Sequence, residues 1–207
     1  MVPLFRSLLA PRGVLALALA VAVALNSGCA TTHAVDQQSE YLDEQTGATV
    51  TTVEQPMVFA RERSERAANL RDYVTLAAAA VNRGGKREYV LIAYVWSTLD
   101  PRYEPATANA EALVLVADDR RIRLTANGKT PSDLGIARPV HAPADQTLKP
   151  LVFPTDLATL RFIAAARSLQ VQTTVADVAV TYELWQDQRP ALDCWCATST
   201  ANAEPQA

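Results

Sequence analysis

The feature that most constrains the fold is a pair of apolar segments, residues 72–82 and 89–97, joined by the turn sequence Asn-Arg-Gly-Gly-Lys at 82–86. The second segment is rich in β-branched and aromatic residues and is apolar on both faces, a pattern typical of a strand buried on both sides. The period of the first segment is ambiguous, because its alanine run favours a helix by propensity whereas its alternation favours a strand. Since a hairpin accounts for both segments and for the turn, we predict a strand at 72–82, with a helix as the alternative.

Six further segments have the β-branched or alternating composition of strands and are bounded by turn residues or proline. Residues 130–150 are rich in proline and predict a long surface loop. Downstream of this loop, Thr155 is predicted to cap a helix over about residues 156–167, with Asp156 at its positive end. The six segments are 49–53, 57–60, 112–117, 121–126, 169–173 and 178–182.

Together these elements predict a mainly β fold, an antiparallel two-layer β-sandwich-like domain with one covering α-helix at about 156–167. The body of the chain, about 155 residues, suits one domain with a sizeable core. We therefore divide the chain into a signal peptide at residues 1–28, a flexible tether at 29–40, a single β-rich domain at 41–197 and a disordered tail at 198–207.

The signal peptide is predicted from charge and length. Residues 1–12 contain Arg6 and Arg12 but no acid, and residues 13–25 form an uninterrupted apolar run. A run of about 13 residues is much shorter than the roughly 20 that a membrane-spanning helix requires, so a removable export signal is the better interpretation.

The segment Leu25-Asn26-Ser27-Gly28-Cys29 resembles the lipobox of bacterial lipoproteins, in which a small residue precedes a cysteine that becomes the acylated N-terminus. This resemblance implies lipidation at Cys29. Because Ala30 rather than aspartate follows the cysteine, it also implies the inner leaflet of the outer membrane, facing the periplasm. The alternative is ordinary secretion with cleavage near Ala30.

Charge limits the partners of the predicted mature chain. Arg6 and Arg12 are removed with the signal peptide, which leaves 17 of the 19 basic residues against 22 acidic ones and a formal charge of −5. A negative chain lacks the basic footprint of a nucleic-acid-binding protein. We therefore expect no nucleic acid, no cofactor, membrane contact through the anchor at Cys29, and an envelope protein as partner.

Cys194 and Cys196 form the second candidate site. In an extended segment both sulfurs would point to one side and reach one metal ion, whereas a Cα separation of about 6.5–7 Å would strain a disulfide. A closed zinc site requires four ligands, and the folded body adds only His141. Metal binding by Cys194, Cys196 and His141, a strained or redox-active disulfide, and unpaired structural thiols remain alternatives. We expect no metal at stoichiometric level.

The sequence contains none of the common catalytic motifs, such as G-x-S-x-G or H-E-x-x-H. A catalytic triad would have to use His141, which lies in the proline-rich loop, where a lone histidine is more often solvated. Asp118 and Asp119 lie in a predicted turn and require only solvent. No catalytic residue is predicted.

Residues 42–76 and 82–100 resemble the first half of a set of uncharacterised proteobacterial envelope lipoproteins. The resemblance includes Arg-Asp-Tyr at 71–73, Asn-Arg-x-Gly-Lys at 82–86 and Trp-Ser-Thr at 96–98. It implies a Gram-negative origin and agrees with the hairpin, but it implies no activity.

These observations favour a non-enzymatic outer-membrane lipoprotein that binds or supports an envelope partner on the periplasmic side. The alternative is a metal-binding or thiol-redox module that uses Cys194 and Cys196, and a hydrolase ranks third.

Overall fold

The computed structural model describes residues 38–64, 69–98, 112–143, 148–175 and 178–201. The predicted signal peptide, the predicted lipidation site Cys29 and most of the predicted tether lie outside the described residues, as do residues 202–207 of the predicted tail.

The described residues form ten strands and two α-helices, and every strand pair is antiparallel. The predicted mainly β, sandwich-like fold with a covering helix is therefore confirmed. The strands are β1 (Gln38–Asp43), β2 (Ala48–Val53), β3 (Met57–Glu62), β4 (Arg71–Arg83), β5 (Lys86–Ser97), β6 (Ala112–Ala117), β7 (Arg120–Thr125), β8 (Leu151–Thr155), β9 (Leu169–Val175) and β10 (Val178–Gln186); the helices are α1 (Leu157–Ala165) and α2 (Arg189–Ala201).

The long strand β4 is the branch point of the sheet. On one edge its first half pairs with β3 and its second half with β2, while its other edge pairs with β5 along residues 72–83. From β3 the sheet continues through β10, β9, β6 and β7, and from β2 it continues to β1. On the far side, β5 pairs with β8, which lies beside β7 without pairing with it. The sheet therefore curves around a core but does not close.

The β4–β5 hairpin is buried on both faces. Ala78 and Ala80 belong to a core on the concave face of the sheet, whereas Ala77 and Ala79 belong to a second core on the opposite face. Small side chains suit strand positions with close neighbours on both sides, and this tertiary packing overrides the helix propensity of alanine. The predicted strand at 72–82 is thus confirmed and the helical alternative is wrong.

The turn of this hairpin has the predicted chemistry. Gly84 and Gly85 have φ values of 58° and 85°, and Arg83 pairs directly with Lys86. A two-residue loop with both φ values positive matches the right-handed twist of the strands and favours glycine.

The concave face of the sheet and both helices enclose the larger, principal core, which contains Phe59, Leu91, Phe153, Leu160 and Trp195. The second core lies on the outer face of β4 and β5. There the loop that follows β7 contributes Leu134, Ile136 and Val140, which pack with residues of β2, β4, β5 and β8. Burial of each such large side chain contributes about 1.5–3 kcal/mol, so both layers stabilise the hairpin between them.

Helix α1 begins one residue later than predicted. Thr155 is the last residue of β8 and pairs with Tyr89. The N-cap is Asp156, whose Oδ1 accepts a hydrogen bond of 2.7 Å from the backbone N–H of Thr159. A carboxylate at this position satisfies an otherwise unpaired amide and favours the positive end of the helix. The helix ends at Ala165, two residues before the predicted end.

Helix α2 was not predicted, and it corrects two expectations. It includes residues 194–196, which were considered extended, and it continues to Ala201, past the predicted start of the tail at 198. Its buried face consists of Ala191, Leu192, Trp195 and Cys196, the spacing of an amphipathic helix. Near its end, Arg87 Nη1 donates a 2.6 Å hydrogen bond to the carbonyl oxygen of Ser199, which stabilises the negative helix terminus.

Two strands were also missed. Strand β1 begins at Gln38 within the predicted tether and pairs with β2 along its whole length, so residues 38–40 belong to the folded domain and not to a tether. Strand β8 pairs with residues 89–93 of β5, although Pro150 and Pro154 had favoured a loop and a helix start. Proline is compatible with a strand that pairs on one edge only, because its missing N–H can face away from the partner.

The β6–β7 turn is attached to the α1–β9 connection through Asp118. Its carboxylate accepts hydrogen bonds from the backbone N–H groups of Arg167 (3.0 Å) and Ser168 (2.9 Å), and its own N–H donates to Ser168 O (3.0 Å). The expectation that Asp118 requires only solvent is therefore wrong. The bond from the Ser168 backbone N–H is the main cause that lowers the pKa of the Asp118 carboxyl below its usual 3.8.

We expect Asp118→Ala to lower the midpoint of thermal unfolding, whereas Asp119→Ala, in the same exposed turn, should leave it nearly unchanged. Because the pKa of Asp118 is lowered in the folded state, its contribution is present above pH 3.8 and is lost as pH falls through the folded pKa. The difference in midpoint between wild type and Asp118→Ala should therefore shrink from pH 6 to pH 2. Equal midpoints for the two variants at pH 6 would contradict this role.

Candidate functional site

A groove of about 1140 Å³ lies between the loop at 126–143, the segment at 148–150 and strands β5 and β8. This volume is slightly larger than the roughly 300–1,000 Å³ that is usual for small-molecule sites. Tyr94, Leu151 and Val152 line it from the sheet, and Ile136 and Leu148 line it from the loop. The groove thus has an apolar floor that continues into the second core.

The loop that forms one wall is held in place by local contacts. Residues 132–134 form a 3₁₀ turn in which Asp133 accepts hydrogen bonds from the backbone N–H (2.7 Å) and the hydroxyl (2.8 Å) of Thr130. Gly135 follows with φ of 81°, and a Cβ there would lie 2.8 Å from both Arg83 Nη2 and Thr46 Oγ1. Only glycine fits this approach without a shift, so the wall is packed closely against the Arg83 side chain at the end of β4 and against Thr46 in the β1–β2 turn.

His141 anchors the same loop to β2. Its Nε2 lies 2.5 Å from the carbonyl oxygen of Val53 and donates a hydrogen bond to it, while the residue itself has φ of 50°. The carbonyl fixes the proton on Nε2, since only a protonated ring nitrogen can donate. His141 is therefore a structural tie between the loop and the sheet rather than a solvated histidine.

The charged groups around the groove have one sign. Lys129, Arg138 and Lys149 line it, and none of its described lining residues is acidic. The guanidinium of Arg138 lies 4.8 Å from the ring centroid of Tyr41, and this cation–π contact orients it. Burial raises the pKa of the Tyr94 phenol above its usual 10, so this lining residue adds no negative charge to the groove near neutral pH.

The Cys194–Cys196 pair does not form the predicted type of site. In a helix, residues two apart point about 200° away from each other, so the two sulfurs cannot meet one ion or bridge. Cys196 is buried in the principal core and Cys194 is half-buried, and no disulfide joins them. Burial raises the pKa of the Cys196 thiol to about 11, so it remains protonated and unreactive near neutral pH.

No group of three or more His, Cys, Asp or Glu side chains within the described ranges is arranged to hold a metal ion. The three weak metal candidates, Cys194, Cys196 and His141, therefore do not converge. The expectation that the cysteine pair lies in an extended segment was wrong because the apolar face of α2 packs on the principal core.

The sequence prediction of a surface loop at 130–150 did not identify the groove. One signal was available: apolar residues 134, 136, 140 and 148 recur among the prolines of this loop, which is unusual for a segment that only meets solvent. Their partners lie on β2, β4, β5 and β8, and sequence spacing could not show this.

Neither α1 nor α2 combines the length and apolar content needed to cross a membrane, and the described residues contain no other candidate. No protein-family model, curated protein or solved structure matches this chain.

We expect the two cysteines to differ in their contribution to stability. Cys196→Ser should lower the free energy of unfolding by about 1–3 kcal/mol, because it places a hydroxyl in an apolar core, while Cys194→Ser should cost less than about 0.5 kcal/mol. Urea denaturation of each variant measures this. In the native protein, iodoacetamide followed by peptide mass spectrometry should detect Cys194 modification before Cys196 modification.

Equal costs for the two substitutions, or equal modification rates, would contradict the buried position of Cys196. Elemental analysis provides a separate check: one equivalent of zinc or copper that is lost in the double variant would restore the metal-site alternative.

Proposed function

We propose that this chain is a lipid-anchored envelope protein that acts as a non-enzymatic binding module on the periplasmic side of the outer membrane. In this proposal Cys29 carries the anchor and the groove beside the proline-rich loop is the binding surface.

The observation that carries the proposal is the groove itself. It combines an apolar floor with polar and charged groups at its edge, the usual composition of a binding site. Its loop wall is fixed by His141, by Gly135 and by the buried side chains of Leu134 and Ile136. A wall held in this way is pre-organised, which reduces the entropy lost when a ligand binds.

Two of the side chains that the sequence offered as candidates for catalysis, metal binding or redox chemistry have structural roles. The Nε2–H of His141 donates a hydrogen bond to the backbone carbonyl of Val53, and the Cys196 thiol is buried and protonated. These two roles support binding rather than catalysis, and they remove the main support for the thiol-redox alternative.

The anchor is tested by Cys29→Ser. We expect this variant to lose the mass of the acyl chains and to leave the membrane fraction, appearing as uncleaved precursor or as soluble material, because acyl chains hold a lipoprotein at the membrane. Cys194→Ser is the matched control and should remain in the membrane fraction with an unchanged lipid mass. An unchanged mass and distribution for Cys29→Ser would refute the lipoprotein assignment.

The groove is tested by placing a photo-crosslinking amino acid at Ala137, which is exposed and lines the groove, and at Ala179, which is exposed on β10. Irradiation of cells at native expression should give adducts from position 137 and none above background from position 179. Equal adducts from both positions, or none from position 137, would show that the groove is not the binding surface.

A further inference from the structure

The described edge of the groove is cationic. Lys129, Arg138 and Lys149 all line it, although the whole chain has a formal charge of −3. Within the part of the loop that the structure describes, the acid is Asp133, which lies in a smaller neighbouring depression that Lys129 also lines and which already accepts two hydrogen bonds from Thr130. The described lining of the groove therefore has a net positive charge, which favours an anionic group.

The walls of the groove favour a hydrocarbon body over a peptide. Prolines at four lining positions, 131, 139, 143 and 150, have no backbone N–H to donate. An extended peptide would leave polar groups unpaired against such a surface, and unpaired buried polar groups are costly. An alkyl chain has no such requirement and gains from contact with Leu148, Leu151 and Val152.

Strand β1 lies close to the same loop. Gln38, the first described residue of β1, pairs with Val53, and the carbonyl of Val53 holds His141 in the loop wall. Adjacent strands are about 4.8 Å apart, so the start of β1 lies close to the loop wall of the groove.

We infer that the groove binds an anionic amphiphile, a molecule with an alkyl chain and a phosphate headgroup; the inference deepens the proposed function and rests on it. The alkyl chain lies on the apolar floor, and the headgroup meets Arg138 together with Lys129 and Lys149. A guanidinium held over Tyr41 presents a planar fork of N–H donors that matches phosphate oxygens.

The test measures equilibrium binding of radiolabelled alkyl phosphates to the full chain in phosphatidylcholine nanodiscs, with binding to empty nanodiscs subtracted. Octyl, decyl and dodecyl phosphate are used below their critical micelle concentrations. Affinity should rise about fourfold per methylene, as expected for a buried chain, and should fall as salt is increased. Dodecanol, dodecanoate and dodecyltrimethylammonium complete the series and should bind more weakly than dodecyl phosphate.

Three variants assign the binding to the groove. Replacing Lys129, Arg138 and Lys149 with Gln should weaken dodecyl phosphate binding at least tenfold and change dodecanol binding less than twofold. The matched control replaces three exposed cations on other surfaces, Arg121, Arg123 and Arg167, with Gln and should change neither. Ala142→Trp, an exposed substitution that fills the groove, should weaken both ligands. Circular dichroism confirms that each variant is folded.

Equal affinities for dodecyl phosphate, dodecanol and dodecyltrimethylammonium would overturn the inference that the groove recognises an anionic headgroup. Tighter binding of dodecanoate than of dodecyl phosphate would show that the preferred headgroup is a carboxylate and not a phosphate. If the triple Gln variant of the control cations weakened dodecyl phosphate binding as much as that of the groove cations, the groove would not be the binding site. Binding of none of these ligands would also refute the inference. The crosslinking at Ala137 distinguishes failure of the proposed function from failure of the inferred ligand class. Adducts at position 137 together with no amphiphile binding would leave the proposed binding function intact and refute only the ligand class.

Discussion

Because the β4–β5 hairpin is apolar on both faces, two other layers must cover it, and the rest of the structure follows from how they do so. On the concave face the curved sheet and both helices form the principal core, and on the other face the proline-rich loop forms the second core. The branched edge of β4 makes this possible, since β2 and β3 continue from it in different directions. The groove exists because the covering loop packs its apolar residues and leaves its prolines and cations at the edge.

The sequence predicted the elements whose signals are local. The two hairpins, the glycines at 84 and 85, the last two strands and helix α1 follow from alternation, turn chemistry and capping, all of which act within a few residues. Strand β8 and helix α2 were missed because their stability comes from distant partners. Two prolines obscure β8, which forms by pairing with β5, and α2 is rich in Cys, Trp, Ser and Thr, which are weak helix formers that here pack on the principal core.

The candidate site was less predictable than the fold. Cys194 and Cys196 form a pair only if the segment is extended, and their helical conformation depends on burial of Leu192 and Trp195 far along the chain from their partners. His141 was identified as a candidate, but its role depends on Val53, 88 residues away in sequence. The groove is formed by one loop together with strands β5 and β8, and nothing in the sequence predicted that the loop packs beside these strands. The side-chain types in the sequence therefore identified these candidate residues, but their roles depend on contacts with residues far away in sequence.

The hydrogen bond from Arg87 to Ser199 joins positions 112 residues apart, and it lies where α2 completes the enclosure of the principal core. A ribosome delivers β4 and β5 long before it delivers this helix. Until residues 189–201 have been made, the principal core lacks Leu192 and Trp195, which α2 contributes. Such late, non-local closure slows folding. The hairpin that organises the sheet therefore reaches its full burial only after the chain has been made as far as α2.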